Sequence, residues 1–159
     1  GVAVAQNLAG ARVGGVELGA YFDVLSHLRG RTSLTWMHTE DLSDVAASAG
    51  KQLPGRPEWK VFARLSGYHD FGSTVSEVGL SVDMEYLSGN HMDAANLVGL
   101  DDRVLLGASA WAGFLDDQLR AKVSVHNILS DRVVDLVGFP LPGLTALASL
   151  SYQPRFSAP

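Results

Sequence analysis

The stretch LRAKVSVHNILSDRVVDLVGFPLPGLTALASLSY, Leu119 to Tyr152, decides how the rest of the chain is read. Its first third alternates: Ala121, Val123 and Val125 fall on one side of an extended strand, Arg120, Lys122, Ser124 and His126 on the other. A polar break follows, then Gly138-Phe139-Pro140-Leu141-Pro142-Gly143. The last third alternates again, with Ala146, Ala148, Leu150 and Tyr152 against Thr145, Ser149 and Ser151. One face is apolar and the other carries hydroxyls and charges. In a soluble sandwich the apolar face meets a core and the polar face meets water. In a transmembrane barrel the apolar face meets lipid and the polar face a lumen. Periodicity alone fits both.

Working outward, the same alternation recurs. Val16, Leu18, Ala20, Phe22 and Val24 oppose Glu17, Gly19, Tyr21 and Asp23; Thr32, Leu34, Trp36 and His38 oppose Arg31, Ser33, Thr35, Met37 and Thr39. Trp59, Val61, Ala63 and Leu65 oppose Lys60, Arg64 and Ser66, joined by Phe62. The cleanest case sets Val78, Leu80, Val82, Met84 and Tyr86 against Glu77, Gly79, Ser81, Asp83 and Glu85. From Arg103 to Phe114, Val104, Leu106, Ala108 and Ala110 take the apolar side, but Leu105 and Trp111 fit the polar side badly. About seven strands of about ten residues result, a length that crosses a bilayer at a tilt. The breaks alternate short (near His27, Gly72 and Asp117) and long (near Ser48, Ala95 and Leu136), as in barrels with tight turns on one side and long loops on the other. Trp59 and Tyr86 fall at loop-side strand ends, and Phe22, Phe114 and Tyr152 at turn-side ends, as interfacial girdles would place them.

Composition agrees. Charged residues are 18% of 159, below the quarter usual in soluble domains, and mean hydropathy is +0.12. No run of about 18 apolar residues encodes a membrane helix. A net charge of −5 argues against nucleic acid and against a polybasic membrane anchor. Zero cysteines exclude disulfides, thiolate catalysis and cysteine-ligated zinc.

Three motifs carry a family resemblance. Val125-His126-Asn127-Ile128-Leu129-Ser130-Asp131, followed by the Gly-Phe-Pro-Leu-Pro-Gly loop and a strand ending at Tyr152, resembles the C-terminal end of TonB-dependent outer-membrane receptors. Gly15-Val16-Glu17-Leu18 at a strand head and Leu53-Pro54-Gly55-Arg56-Pro57 before a strand resemble the same family. Two features differ from its pattern: Leu144 follows Gly143 where arginine is common, and the chain runs on past Tyr152 to Phe156 and Pro159 where a terminal aromatic is usual.

The resemblance implies an all-β fold, an antiparallel meander of about seven transmembrane strands forming part of a barrel of about 22 strands. Residues 1–154 would be the C-terminal segment of that barrel and 155–159 a tail. The chain begins at Gly1 without Met or signal peptide, so a fragment is expected. The whole protein would be an active transporter for a scarce nutrient (iron–siderophore, haem or cobalamin) in the outer membrane of a Gram-negative bacterium. Its partners would be outer-membrane lipid, the nutrient, and an inner-membrane energy-transducing complex reached through an N-terminal part lying upstream. The alternative is a soluble or small self-contained β-barrel module that binds ligand or serves as an anchor, the small barrel closed by an eighth strand over Val2–Leu8. A fragment should instead be an open meander, paired in sequence order, whose two ends do not meet.

No enzyme activity, cofactor or metal is expected. His27, His38, His69, His91 and His126 share no ligand spacing. Asp101-Asp102 and Asp116-Asp117 read as solvated turn acids. Asp83 and Glu85, two apart on one face, could form an acid–base pair but lack a nucleophile or histidine beside them, and lumen lining is expected. Gly14-Gly15 is too short for a phosphate loop. Ligand contacts would come from the long loops, whose residues match no shared pattern.

Overall fold

The computed structural model describes residues 10–72, 74–136 and 139–154. They form an antiparallel sheet of seven long strands with no helix among the described residues. The long strands are β1 (Ala11–Leu25), β2 (Leu28–Asp41), β3 (Trp59–Asp70), β4 (Val75–Ser88), β7 (Arg103–Phe114), β8 (Leu119–His126) and β11 (Thr145–Tyr152). They pair in chain order, β1-β2-β3-β4-β7-β8-β11. Two-stranded ribbons sit in the loops: β5 (Asn90–His91) with β6 (Gly99–Leu100), and β9 (Val134–Leu136) with β10 (Phe139–Pro140).

β1 and β11 each have a single neighbour in the sheet, so it does not close. The eighth strand proposed over Val2–Leu8 and the 155–159 tail lie outside the described residues. β1 and β2 are parted by Ser26 and His27 alone, β2 continues to Asp41, and β3 continues to Asp70. The ladder holds in each case because both partners remain extended: Asp41 faces Ala11, and Asp70 faces Glu77.

Register sorts the residues by face. Leu18, Leu34, Val61 and Tyr86 follow one another from β1 to β4, and Val82, Ala108, Val125 and Ala146 from β4 through the three remaining strands. All are on the apolar face, and the alternation read from sequence lands them there together because direct partners across an antiparallel pair share a side. Trp36 and Trp59 are direct partners at the loop-side edge of this face, with ring centroids 6.4 Å apart. Beyond them Arg12 pairs with Glu40 at 3.1 Å, ending the apolar band with charge.

Burial runs opposite to a soluble protein. On β4, Ser81 is 6% exposed while its neighbour Val82 is 59% and Leu80 65% exposed. Val133, in a loop, is the one hydrophobic residue that is buried among those described, whereas Thr39, Asp41, Ser48, Ser81 and Asn127 are all buried. The shading is centred on β4 and β7, where polar-face side chains from neighbouring strands crowd together, while β1 and nearly all of β11 are exposed on both faces. Without an apolar core among the described residues, the meander is held by backbone ladders and cross-strand pairs.

Candidate functional site: the polar face and its loop rim

The polar face is a wall of paired charges. Arg64 meets Asp83 at 3.2 Å, Arg103 meets Glu85 at 3.1 Å, and Arg120 meets Glu77 at 3.2 Å. Each pair joins neighbouring or next-but-one strands. Asp83 and Glu85 are therefore not paired with each other: each meets its own guanidinium, on strands to either side of β4. Phe62, unusual among polar neighbours, lies under two guanidinium groups, Arg64 at 5.4 Å and Arg31 at 5.7 Å from its ring centroid. Ser81 and Ser109, direct partners, share a hydrogen bond at 2.8 Å.

Trp111 belongs to this face after all. Its partner across the ladder is Gly79, and a Cβ on that glycine would lie inside the indole ring. The indole covers the bare backbone, and its Nε1–H donates to Glu77 Oε1 at 2.6 Å. Leu105 also has a place here. With Phe62, Leu141 and Pro142 it gives an apolar lining to a depression of about 340 Å³ that also touches Asp83, Glu85 and His126.

Leu141 and Pro142 reach that depression because the last long loop folds over the polar face. Asn127, in the left-handed region at φ 52°, holds it there. Its Nδ2–H donates to the carbonyls of Asp131 (3.0 Å) and Pro142 (3.2 Å), and its Oδ1 accepts from the Asp131 N–H at 3.1 Å. The Asn127 to Asp131 motif is thus a loop clasp.

A second depression, about 390 Å³, separates this loop from the preceding one. Leu100, Asp101, Asp102 and Arg103 line one side, Asp131, Arg132 and Val133 the other. The hydroxyls of Ser88 and Tyr86 hold the Asp102 carboxyl below its ordinary range, the tyrosine from 2.8 Å. In the same loop, Asp93 is held low by the backbone N–H groups of Val98 (2.7 Å) and Leu97 (3.1 Å).

The histidines do not converge. His27 and His69 approach at the β1–β2 turn, with ring centroids 5.7 Å apart. His38 lies near the loop-side end of β2, His91 contacts Gln52, and His126 ends β8. Among the described residues no group of three His, Asp or Glu side chains is placed to hold a metal ion. Asp116 and Asp117 sit in the β7–β8 turn at φ 54° and 64°, where aspartate is tolerated better than most residues, and Asp117 also meets Arg120 at 3.5 Å. Sequence reasoning missed Gln52 and Asn96, which join two loops. The proline-rich motif at Leu53–Pro57 lies beside them, but nothing in it points to the partner 44 residues away.

No protein-family profile and no curated protein matches this chain. Among solved structures, it is similar to the ferric yersiniabactin uptake receptor FyuA from Yersinia pestis, with a TM-score of 0.66 and 18% sequence identity. The likeness covers 89% of this chain and 22% of that one, so this chain spans about a fifth of the receptor's length. What the two share is a fold: an open, seven-stranded antiparallel meander here resembles part of an uptake receptor.

Proposed function

We propose that the chain is a wall segment of an outer-membrane barrel, the C-terminal part of a TonB-dependent receptor that takes up a scarce nutrient, with an iron–siderophore first among the candidates. The observation that carries this reading is the inverted burial: Ser81 at 6% beside Val82 at 59%. A seven-strand apolar face left bare to water would be a large adhesive patch, and hydrocarbon is the solvent that suits it. The two unpaired sheet edges belong to the same reading. In a larger barrel the free N–H and C=O groups of β1 and β11 find neighbouring strands, as hydrocarbon demands. The fold likeness to a ferric-chelate uptake receptor supports the choice of cargo. The paired charges line a wet lumen, the long loops form the outer mouth, and an inner-membrane complex supplies energy through the part of the protein upstream. The cell envelope is that of a Gram-negative bacterium. Residues 1–154 make up the barrel segment and 155–159 a tail.

The test is fractionation of cells producing the full-length protein, followed by uptake of radiolabelled ferric siderophores in a strain deleted for the gene. Recovery in the outer-membrane fraction and loss of uptake of at least one ferric chelate are expected. Recovery in the soluble fraction without detergent would overturn the membrane reading. Outer-membrane recovery with uptake intact across ferric, haem and cobalamin substrates would overturn the transport reading alone.

A further inference from the structure

Gln52 stands where two long loops meet. Its backbone N–H donates to Asn96 Oδ1 at 2.8 Å, and Asn96 Nδ2–H returns a bond to the Gln52 carbonyl at 2.9 Å. The asparagine side chain thus takes the place of one peptide unit in a ladder. The glutamine side chain reaches the same loop at a second point. Its Nε2–H₂ donates to the carbonyls of Gly89 (2.7 Å) and, within its own loop, Arg56, while Oε1 faces His91 Nδ1 at 3.2 Å. Both amide hydrogens are committed to carbonyls, so the amide cannot turn over without setting oxygen against oxygen. Oε1 is left as an acceptor on the side facing the His91 ring. Two backbone bonds flank this knot: Gly55 N–H to the His91 carbonyl at 2.9 Å and Glu58 N–H to the Gly89 carbonyl at 3.0 Å. The approach is close enough that a Cβ on Gly89, at φ 67°, would stand 2.8 Å from Glu58 Cβ.

We propose that the loops spanning 42–58 and 89–102 are one mechanical unit, with Gln52 as the positioning residue that couples them. The side of the 390 Å³ cleft formed by Leu100, Asp101 and Asp102 is then held from the neighbouring loop. A contact made at that cleft is felt in loop 42–58, and a change at Gln52 shifts a surface it never touches. The coupling follows from loop geometry and holds whatever the barrel transports.

These 159 residues contain no cysteine, so paired spin labels at Ala47→Cys and Ala94→Cys in the full-length protein, with any cysteine elsewhere replaced, read the distance between the loops. A single narrow distribution is expected in the parent. Gln52→Ala and Asn96→Ala should lose it, and so should Gln52→Glu, which keeps the shape but cannot donate to the Gly89 and Arg56 carbonyls. Ser43→Ala removes only side-chain contacts to Ser48 and Asp41, neither of which reaches the 89–102 loop, and should leave it narrow. A distribution as narrow in Gln52→Ala and Asn96→Ala as in the parent would overturn the proposal, as would equal broadening in Ser43→Ala.

Discussion

The side-chain amide of Asn127 donates to the carbonyl of Pro142, 3.2 Å away and on the far side of the last long loop. With its two bonds to the Asp131 backbone, this buried side chain decides that the loop lies inward over Phe62 and Leu105 rather than standing free. Asn127→Gly keeps the left-handed backbone but removes all three bonds, at a cost of about 1–3 kcal/mol. Asn127→Ala adds roughly 1 kcal/mol more, because its Cβ resents positive φ. Denaturant unfolding of the full-length protein in detergent, with limited proteolysis across 128–144, should rank the variants parent, glycine, alanine.

Val123 and Ser124 are chain neighbours at the middle of β8 that face opposite ways, Val123 being 53% exposed on the apolar side. If that side meets lipid, Val123→Arg costs about 2–4 kcal/mol near the bilayer centre. Ser124→Arg, on the polar side at the same depth, should change stability by about 0.5 kcal/mol. Ser81 would be a poorer comparison because its hydroxyl is already bonded to Ser109. Equal costs at the two positions, measured as unfolding free energies in lipid vesicles, would contradict the lipid assignment.

Gly79 has no room for a side chain, since the Trp111 indole occupies the space and is held there by Glu77. Gly79→Ala must push the ring aside and break that bond, which should cost about 1–3 kcal/mol. Gly19 is the contrast: a Cβ there meets only the Thr32 carbonyl at 3.9 Å. Gly19→Ala should be neutral or stabilising by about 0.5–1 kcal/mol, because alanine loses less backbone freedom in a strand. Urea midpoints of the two variants, with tryptophan fluorescence as the probe, test the difference.

Asp93 accepts from the N–H groups of Val98 and Leu97 and is held below the ordinary carboxylate value of 3.8. A carboxylate lowered by folding contributes stability above its unfolded value and loses it as pH falls through the folded one. The 93–98 turn should therefore be fully ordered at neutral pH and begin to loosen only below about pH 3.8. Hydrogen exchange at the Val98 and Leu97 amides, corrected for the intrinsic pH dependence of exchange, should show protection falling in that window. Asp93→Asn should flatten the pH dependence. Protection unchanged down to the acid limit would contradict this account.

Much of the meander was legible in the chain because a strand turns its side chains over at every residue. That rule placed Val78 to Tyr86 on one face and Glu77 to Glu85 on the other without reference to any neighbour. It also placed the tight turns, where the alternation breaks briefly. Trp111 could not be phased this way, since its place depends on the absence of a side chain at Gly79 on another strand. Nor could Gln52 find Asn96, because hydrogen bonds between loops follow no period. The motif at Asn127 stood out as a pattern, yet its role needed Pro142 brought beside it.

By itself, then, the sequence determined strand number, strand order by proximity, and the division into an apolar and a polar face. Only the tertiary structure decided which face is shielded, how Asp83 and Glu85 are shared out between Arg64 and Arg103, and which loops are tied together. The physical reason is that face assignment is a property of one strand. Shielding comes from side chains of neighbouring strands crowding together, and ion pairing and loop coupling likewise require residues from different strands and loops to meet.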